Sequence, residues 1–323
     1  MNNIINKNKY LIKNTINLFI KNLFSYSNFN HYISNSNLIY LINLKIKYFT
    51  LYNKKGTIPY FNSYYKINYD CITFMENDFS LVQFSINSIL NNKTNNFISN
   101  SIYIVLLKKQ FNTWFIEYFS SIDYLNDLIN YTNENNLISN YNELIQNQIM
   151  HYELLLLNFN TIDIIKSKSK EVYNPSRNLT YNKNQAIHYA EKYALNYNSK
   201  YKSFDENGGD CTNFVSQVIN YGGIKTTSTW KPYTNPWLRV LELRDYLIYN
   251  KLAYETYTLT ENSIGSIIQF FSPTRKIWSH SGIITYKLEG TYLYCCHSSD
   301  KLNYPLAYVY PVIYPKIRII TPY

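Results

Sequence analysis

The sequence predicts an α+β protein in two parts, and three observations carry that reading. An amphipathic stretch near the start is followed by short runs rich in β-branched and aromatic residues. A Lys/Ser-rich segment with one proline interrupts the pattern at residues 166–180. Beyond it, a cysteine stands at a helix start, ahead of two apolar strands that carry histidines. The 323 residues suffice for two domains at about 150 residues each. They divide as a first module over 1–165, a linker over 166–180 and a second domain over 181–323.

Composition narrows the class. Thirty-one Lys and Arg against 21 Asp and Glu give a net charge of +10, with 46 % hydrophobic, 18 % aromatic and only 16 % charged residues. Disordered chains lack aromatics and carry dense charge, so this chain folds. No run approaches the roughly 20 apolar residues that span a bilayer, and four cysteines in a chain this long are no disulfide scaffold. Asn, Ile, Lys and Tyr dominate (36 tyrosines against 8 glycines), all residues with AT-rich codons. Lysines dispersed in such a background form a solvated surface. Without an Arg-rich run or a zinc-finger or RNA-recognition signature, no nucleic-acid partner is expected.

In the first module, Ile12, Ile16, Phe19, Ile20 and Leu23 recur at helical spacing. Lys13, Asn14, Asn17, Lys21 and Asn22 break the apolar core that a secretory signal needs, so a cytoplasmic location is expected, with the envelope or exterior reached only by an unseen route. The stretch reads as the first amphipathic helix of a domain, or as a membrane-surface helix. Strands are expected at 45–52 (KIKYFTLY), 63–74, 80–86, 101–109 and 113–121, with NNKTNN at 91–96 as a hairpin loop or local disorder. Residues 123–165 read helical, centred on the run from Glu153 to Leu157. No convergent set of reactive side chains marks this module, which is expected to bind or position.

The second domain opens with a helix over 181–195, its Ala186, Tyr189, Ala190, Tyr193 and Ala194 suited to close packing. The loop DENGGD leads to Cys211, with Asp210 as N-cap, Phe214, Val215, Val218 and Ile219 as the core face, and Gly222 and Gly223 as the stop. A helix N-terminus stabilises a thiolate, so Cys211 is a candidate nucleophile. His280 opens an apolar strand over 281–286 and is the candidate base. A second strand, 291–297, ends in His297. If Lys287 pairs with Gly290, His297 faces His280 with Cβ atoms roughly 5 Å apart and orients it. A three-residue loop of Leu288, Glu289 and Gly290 would instead turn His297 to the other face. Both registers remain open from sequence. A cysteine at a helix start is most often a small buried hydrophobe, and it is the combination with His280 and His297 that favours chemistry. Cys211, His280, His297, Cys295 and Cys296 lack zinc-site spacing, so no metal or cofactor is expected. Cys71, His31, His151 and His188 read as structural.

The helix from Tyr181, then Asn198, Tyr201, Phe204 and the run Asp210-Cys-Thr-Asn-Phe-Val-Ser-Gln217, resembles the "Putative amidase domain" family of low-GC Gram-positive bacteria. Gly265-Ser-Ile-Ile-Gln-Phe270, Trp278-x-His280-Ser-x-Ile-Ile-Thr285, His297, Asp300 and Pro305 extend the resemblance over about 175–315. It implies a papain-like fold related to NlpC-type cell-wall cysteine peptidases, with a cysteine-bearing helix on an antiparallel sheet. It also implies Cys211 as nucleophile, His280 as base, His297 as orienting residue and helix-start N–H groups as oxyanion hole. Asp210 would shape the oxyanion loop and Tyr201 would contact substrate. Ser266 departs from the family's usual Asp. The first module resembles, more loosely, a nuclear-transport-factor-like or cystatin-like cone. The expected activity is hydrolysis of an amide in peptidoglycan or its peptides. The alternatives are a binding or scaffolding protein that keeps the fold without turnover, and a papain-like acyltransferase or thioesterase.

Overall fold

The computed structural model describes residues 2–25, 27–55, 64–91, 96–121, 134–159, 181–288 and 291–323. The chain divides into two compact units near residue 161. The expected linker at 166–180 and the helical stretch at 123–133 lie outside the described residues.

In the first unit, α1 (Asn2–Phe24) buries Ile12, Ile16, Phe19, Ile20 and Leu23, the face its periodicity marks. Residues 45–52 correct an expectation: they are not a strand but the second half of α2 (Ser36–Lys55). Their Ile, Tyr, Phe and Thr favour strands singly. However, Leu38, Leu41, Ile42, Tyr48 and Phe49 are buried at helical spacing, and packing overrides the propensity. Strands β1 (Tyr65–Phe74), β2 (Phe79–Asn91), β3 (Asn96–Gln110) and β4 (Thr113–Ser121) form an antiparallel sheet in chain order. Asn91 pairs with Asn96, so β2 and β3 are the expected hairpin. Helix α3 (Glu134–Leu157) packs on α2 and β4.

The second unit sets α4 (Lys183–Tyr193), α5 (Cys211–Tyr221), α6 (Asn235–Leu238) and α7 (Val240–Tyr249) with a six-stranded antiparallel sheet. Its strands are β5 (Ala253–Thr256), β6 (Ile267–Ser272), β7 (Ile277–Leu288), β8 (Thr291–Cys296), β9 (Lys301–Pro305) and β10 (Lys316–Pro322), in the order β5-β10-β6-β7-β8-β9. One sheet face presents Ile267, Ile283, Cys295 and Ile320 to Phe214, Val215, Val218, Trp237 and Leu243. The other face carries Phe270 and Tyr294, whose ring centroids are 5.4 Å apart, with Tyr314 beside Phe270 at 4.7 Å.

At the turn the β7–β8 register is neither of the two pairings left open by the sequence. Leu288 pairs with Thr291 and Ile283 with Cys295, with a bulge between Ile284 and Tyr286. Continued to the strand ends, this sets Ser281, not His280, opposite His297. Beyond the bulge the pairing agrees with the alternative that turns His297 away from His280. A slip of one residue carries a side chain to the other face of the sheet.

Candidate active site

Helix α5 packs on β7 and β8. Phe214 and Val215, one turn beyond Cys211, lie in the helix–sheet core, so helical spacing sends Cys211 toward the sheet as well. Cys211 is buried at 8 % exposure, and its Sγ stands 3.7 Å from the Thr212 hydroxyl.

Asp210 occupies the N-cap position but makes no side-chain cap hydrogen bond. Its carboxylate turns outward instead. Oδ1 accepts from the Phe204 N–H at 2.9 Å and from Asn213 Nδ2 at 2.8 Å, and Oδ2 meets His297 Nδ1 at 2.7 Å. The first-turn amides of α5 thus receive nothing from their own N-cap side chain. Such donors are what an oxyanion takes.

His297 is locked. Its Nε2 faces the Tyr193 carbonyl oxygen at 2.8 Å, which only accepts, so Nε2 carries a hydrogen. Nδ1 is held by Asp210, and the ring is sandwiched by Tyr197 at 3.7 Å (2° between planes) and Phe214 at 4.1 Å. With both nitrogens engaged, His297 anchors the loop before Cys211. Tyr197 donates to Asp300 Oδ1 at 2.8 Å. Burial pushes the Asp300 carboxyl up from the usual carboxylate range, and it likewise raises the Tyr197 hydroxyl.

His280 lies on β7. It pairs with Phe270, and its ring lies beside Phe270 at 5.7 Å and Tyr314 at 6.2 Å. Strand alternation puts it on the face opposite Ser281 and Ile283. An extra residue, Ser279, interrupts the β6–β7 pairing immediately before it. The structure brings Asp210 and His297 together at the start of the Cys211 helix. Tyr201 is half-buried and stacks on Trp237 at 6.1 Å, serving as a wall of the core.

Further polar residues of the helix prove structural. Asn213 accepts from Trp237 Nε1 at 2.8 Å and donates to the Lys202 carbonyl at 3.0 Å. Ser216 donates to the Trp237 carbonyl, and Gln217 accepts from the Tyr189 hydroxyl, which itself accepts from Asn198. Sequence reasoning passed over these residues. Their signal is a polar stripe at 213, 216, 217 and 220 on a helix whose 214, 215, 218 and 219 are apolar. Where the family usually has Asp, Ser266 pairs with the Thr321 hydroxyl at 2.9 Å and keeps the strand end closed. Burial pushes the Cys295 thiol up, which makes it an inert core group. Among the described residues, no group of three or more His, Cys, Asp or Glu is placed to hold a metal, and no helix is long and apolar enough to cross a membrane.

The second unit is thus mixed α/β, with a cysteine at a helix start and an antiparallel sheet. Residues 180–319 match the family described as "Putative amidase domain". The chain is 33 % identical over 122 residues to the protein named "Uncharacterized protein YjcM" of Bacillus subtilis (strain 168). That match covers 34 % of this chain and 29 % of the relative's length. No solved structure matches.

Proposed function

We propose that residues 181–323 form an amidase-type cysteine hydrolase of papain-like organisation, with Cys211 as nucleophile and the first module, over 1–165, positioning the substrate. The observation that carries this reading is Cys211 in the first turn of α5, with the Asp210 side chain drawn off the helix amides by Phe204, Asn213 and His297. A thiolate there is stabilised by the helix end, and the uncapped amides suit the oxyanion of an attacked carbonyl.

In this reaction Sγ bonds to the amide carbon, the C–N bond breaks, and the amine leaves with a proton from the base. Water then splits the thioester, releasing the acid and restoring the thiol. Among the histidines of this unit, His297 is fully engaged and His188 is exposed on α4, so His280 takes the role of base that the family resemblance assigns. Catalytic hydrogen bonds often close only with substrate bound. The proposed substrate is an amide in a peptide of the cell-wall kind, for which a net charge of +10 suits anionic wall material.

The test is hydrolysis of wall stem peptides, with the thioester trapped by acid quench and read by intact mass. Wild type accumulates an acyl adduct on Cys211, while Cys211→Ala and His280→Ala do not. A folded protein that never acylates on any peptide is the binding or scaffolding alternative. Transfer of the acyl group to an added amine, in place of hydrolysis, indicates an acyltransferase.

A further inference from the structure

One buried donor near the start of α5 has no bond. Ser281 on β7 is fully buried, and its Oγ has no hydrogen-bond partner among the described residues. An unmade buried hydrogen bond is costly, and native proteins keep few such groups.

Its location follows from register and helical spacing. Alternation along β7 sends Ser281 to the face of Ile283, which packs with Phe214 and Val215 of α5. The β7–β8 register continued to its end sets Ser281 opposite His297. Asp210, at the start of α5, meets His297 just beyond the end of β8, so the helix starts over the Ser281 end of the sheet and not over the hairpin turn. One turn back from Phe214, on the sheet-facing side, is Cys211. Rival partners are occupied. Gln269, paired with Ser281 on β6, donates to the Val240 carbonyl at 2.9 Å and accepts from Arg318 Nε at 2.8 Å, and His297 is held at both nitrogens.

We infer that Ser281 is a positioning residue for the nucleophile, its hydroxyl turning to donate a hydrogen bond to Cys211 Sγ when that sulfur is a thiolate. This rests on the reading of Cys211 as nucleophile. A thiol has little need of the bond, whereas a thiolate is an acceptor with a full charge, so the contact favours the reactive form. The titratable groups on the elements packed at this helix start are Asp210 before Cys211, His297 just past β8 with Tyr197 and Asp300 behind it, and His280 on β7. All are retained when only Ser281 is changed.

The experiment measures the rate of Cys211 alkylation by iodoacetamide from pH 5 to 10, read by mass, in the full chain carrying Cys71→Ser to silence the exposed thiol. Wild type is expected to titrate well below the ordinary thiol value of about 8.5. Ser281→Ala should move the midpoint up by about one unit, and Ser281→Thr, which keeps the hydroxyl, should restore it. The unfolding midpoint of Ser281→Ala should stay level or rise, since no existing bond is lost. A Ser281→Ala profile that superimposes on a depressed wild-type profile overturns the Ser281 role and leaves Cys211 standing. Lowered stability of Ser281→Ala reveals a structural partner and also overturns it. A wild-type midpoint near 8.5 removes the nucleophile reading and this inference together.

Discussion

His297 Nδ1 stands 2.7 Å from Asp210 Oδ2, a buried contact between residues 87 apart that ties the exit of β8 to the residue before Cys211. Every oxygen of that carboxylate is used, and the imidazole is committed at both nitrogens. Removing one partner leaves the other as an uncompensated buried polar or charged group, which typically costs about 3–5 kcal/mol. His297→Ala and Asp210→Ala should each lower the urea midpoint steeply. The double variant should cost less than the sum, because the pair is one unit. Additive losses would show that the two residues act separately.

Asn213 makes a prediction of the opposite kind to Cys211. Asn213→Ala orphans the Trp237 indole N–H and removes a donor from Asp210, so a loss of about 2–3 kcal/mol is expected. Cys211→Ala removes one small group near the helix end and should cost about 1 kcal/mol or less while abolishing acylation. Denaturant curves followed by tryptophan fluorescence, with acylation measured in parallel, separate the two roles. Asn213→Ala at wild-type stability would mean that the Trp237 link is dispensable.

Much of this site was legible in the sequence, and the missing part has a physical cause. The Cys211 helix, its apolar face and the two strands after it follow from periodicity and stop signals, which are local. The position of His297 is not local, because it turns on one residue of register in a hairpin whose bulge between Ile284 and Tyr286 no pattern marks. The side-chain partners of Asp210 are not legible for a related reason. An Asp before a helix suggests a cap, but Phe204 N–H, Asn213 and His297 converge from three segments and outcompete the helix amides. In the first unit, residues 45–52 show tertiary packing overruling strand propensity.

Gly282 lies beside His280 and Ser281 on β7, where a side chain has no room. A Cβ there would stand 2.8 Å from the Cys295 carbonyl oxygen and 2.9 Å from the Tyr294 ring. The first of these is backbone of the paired strand, which cannot rotate away. Gly282→Ala should therefore separate β7 from β8, cost about 1–3 kcal/mol, and disturb the seat of His297. Amide hydrogen exchange would read this as faster exchange in β8 than in β5 on the far edge of the sheet. Unchanged protection in β8 would mean that the strands adjust without parting.

The first unit carries its own pH dependence. Lys45 on α2 donates to Gln148 Oε1 at 2.7 Å and lies 5.6 Å over the Tyr152 ring, while Gln148 donates to the Tyr118 hydroxyl at 3.1 Å. Among the described residues no salt bridge to Lys45 is present, and burial lowers its amine to about 7 from 10.5. The folded state therefore sheds this proton near pH 7, whereas the unfolded chain holds it to about pH 10.4. Between those limits the unfolded state binds more protons, so stability rises with pH through the window. Below pH 7 both states are protonated, and the penalty for the buried charge is fully present. Lys45→Met keeps the aliphatic stem and removes the charge. It should raise the stability of this unit at pH 6.5 and flatten its rise toward pH 9.5. The readout is amide exchange in α2 and α3 at several pH values. A slope that persists in Lys45→Met assigns the pH dependence to another group.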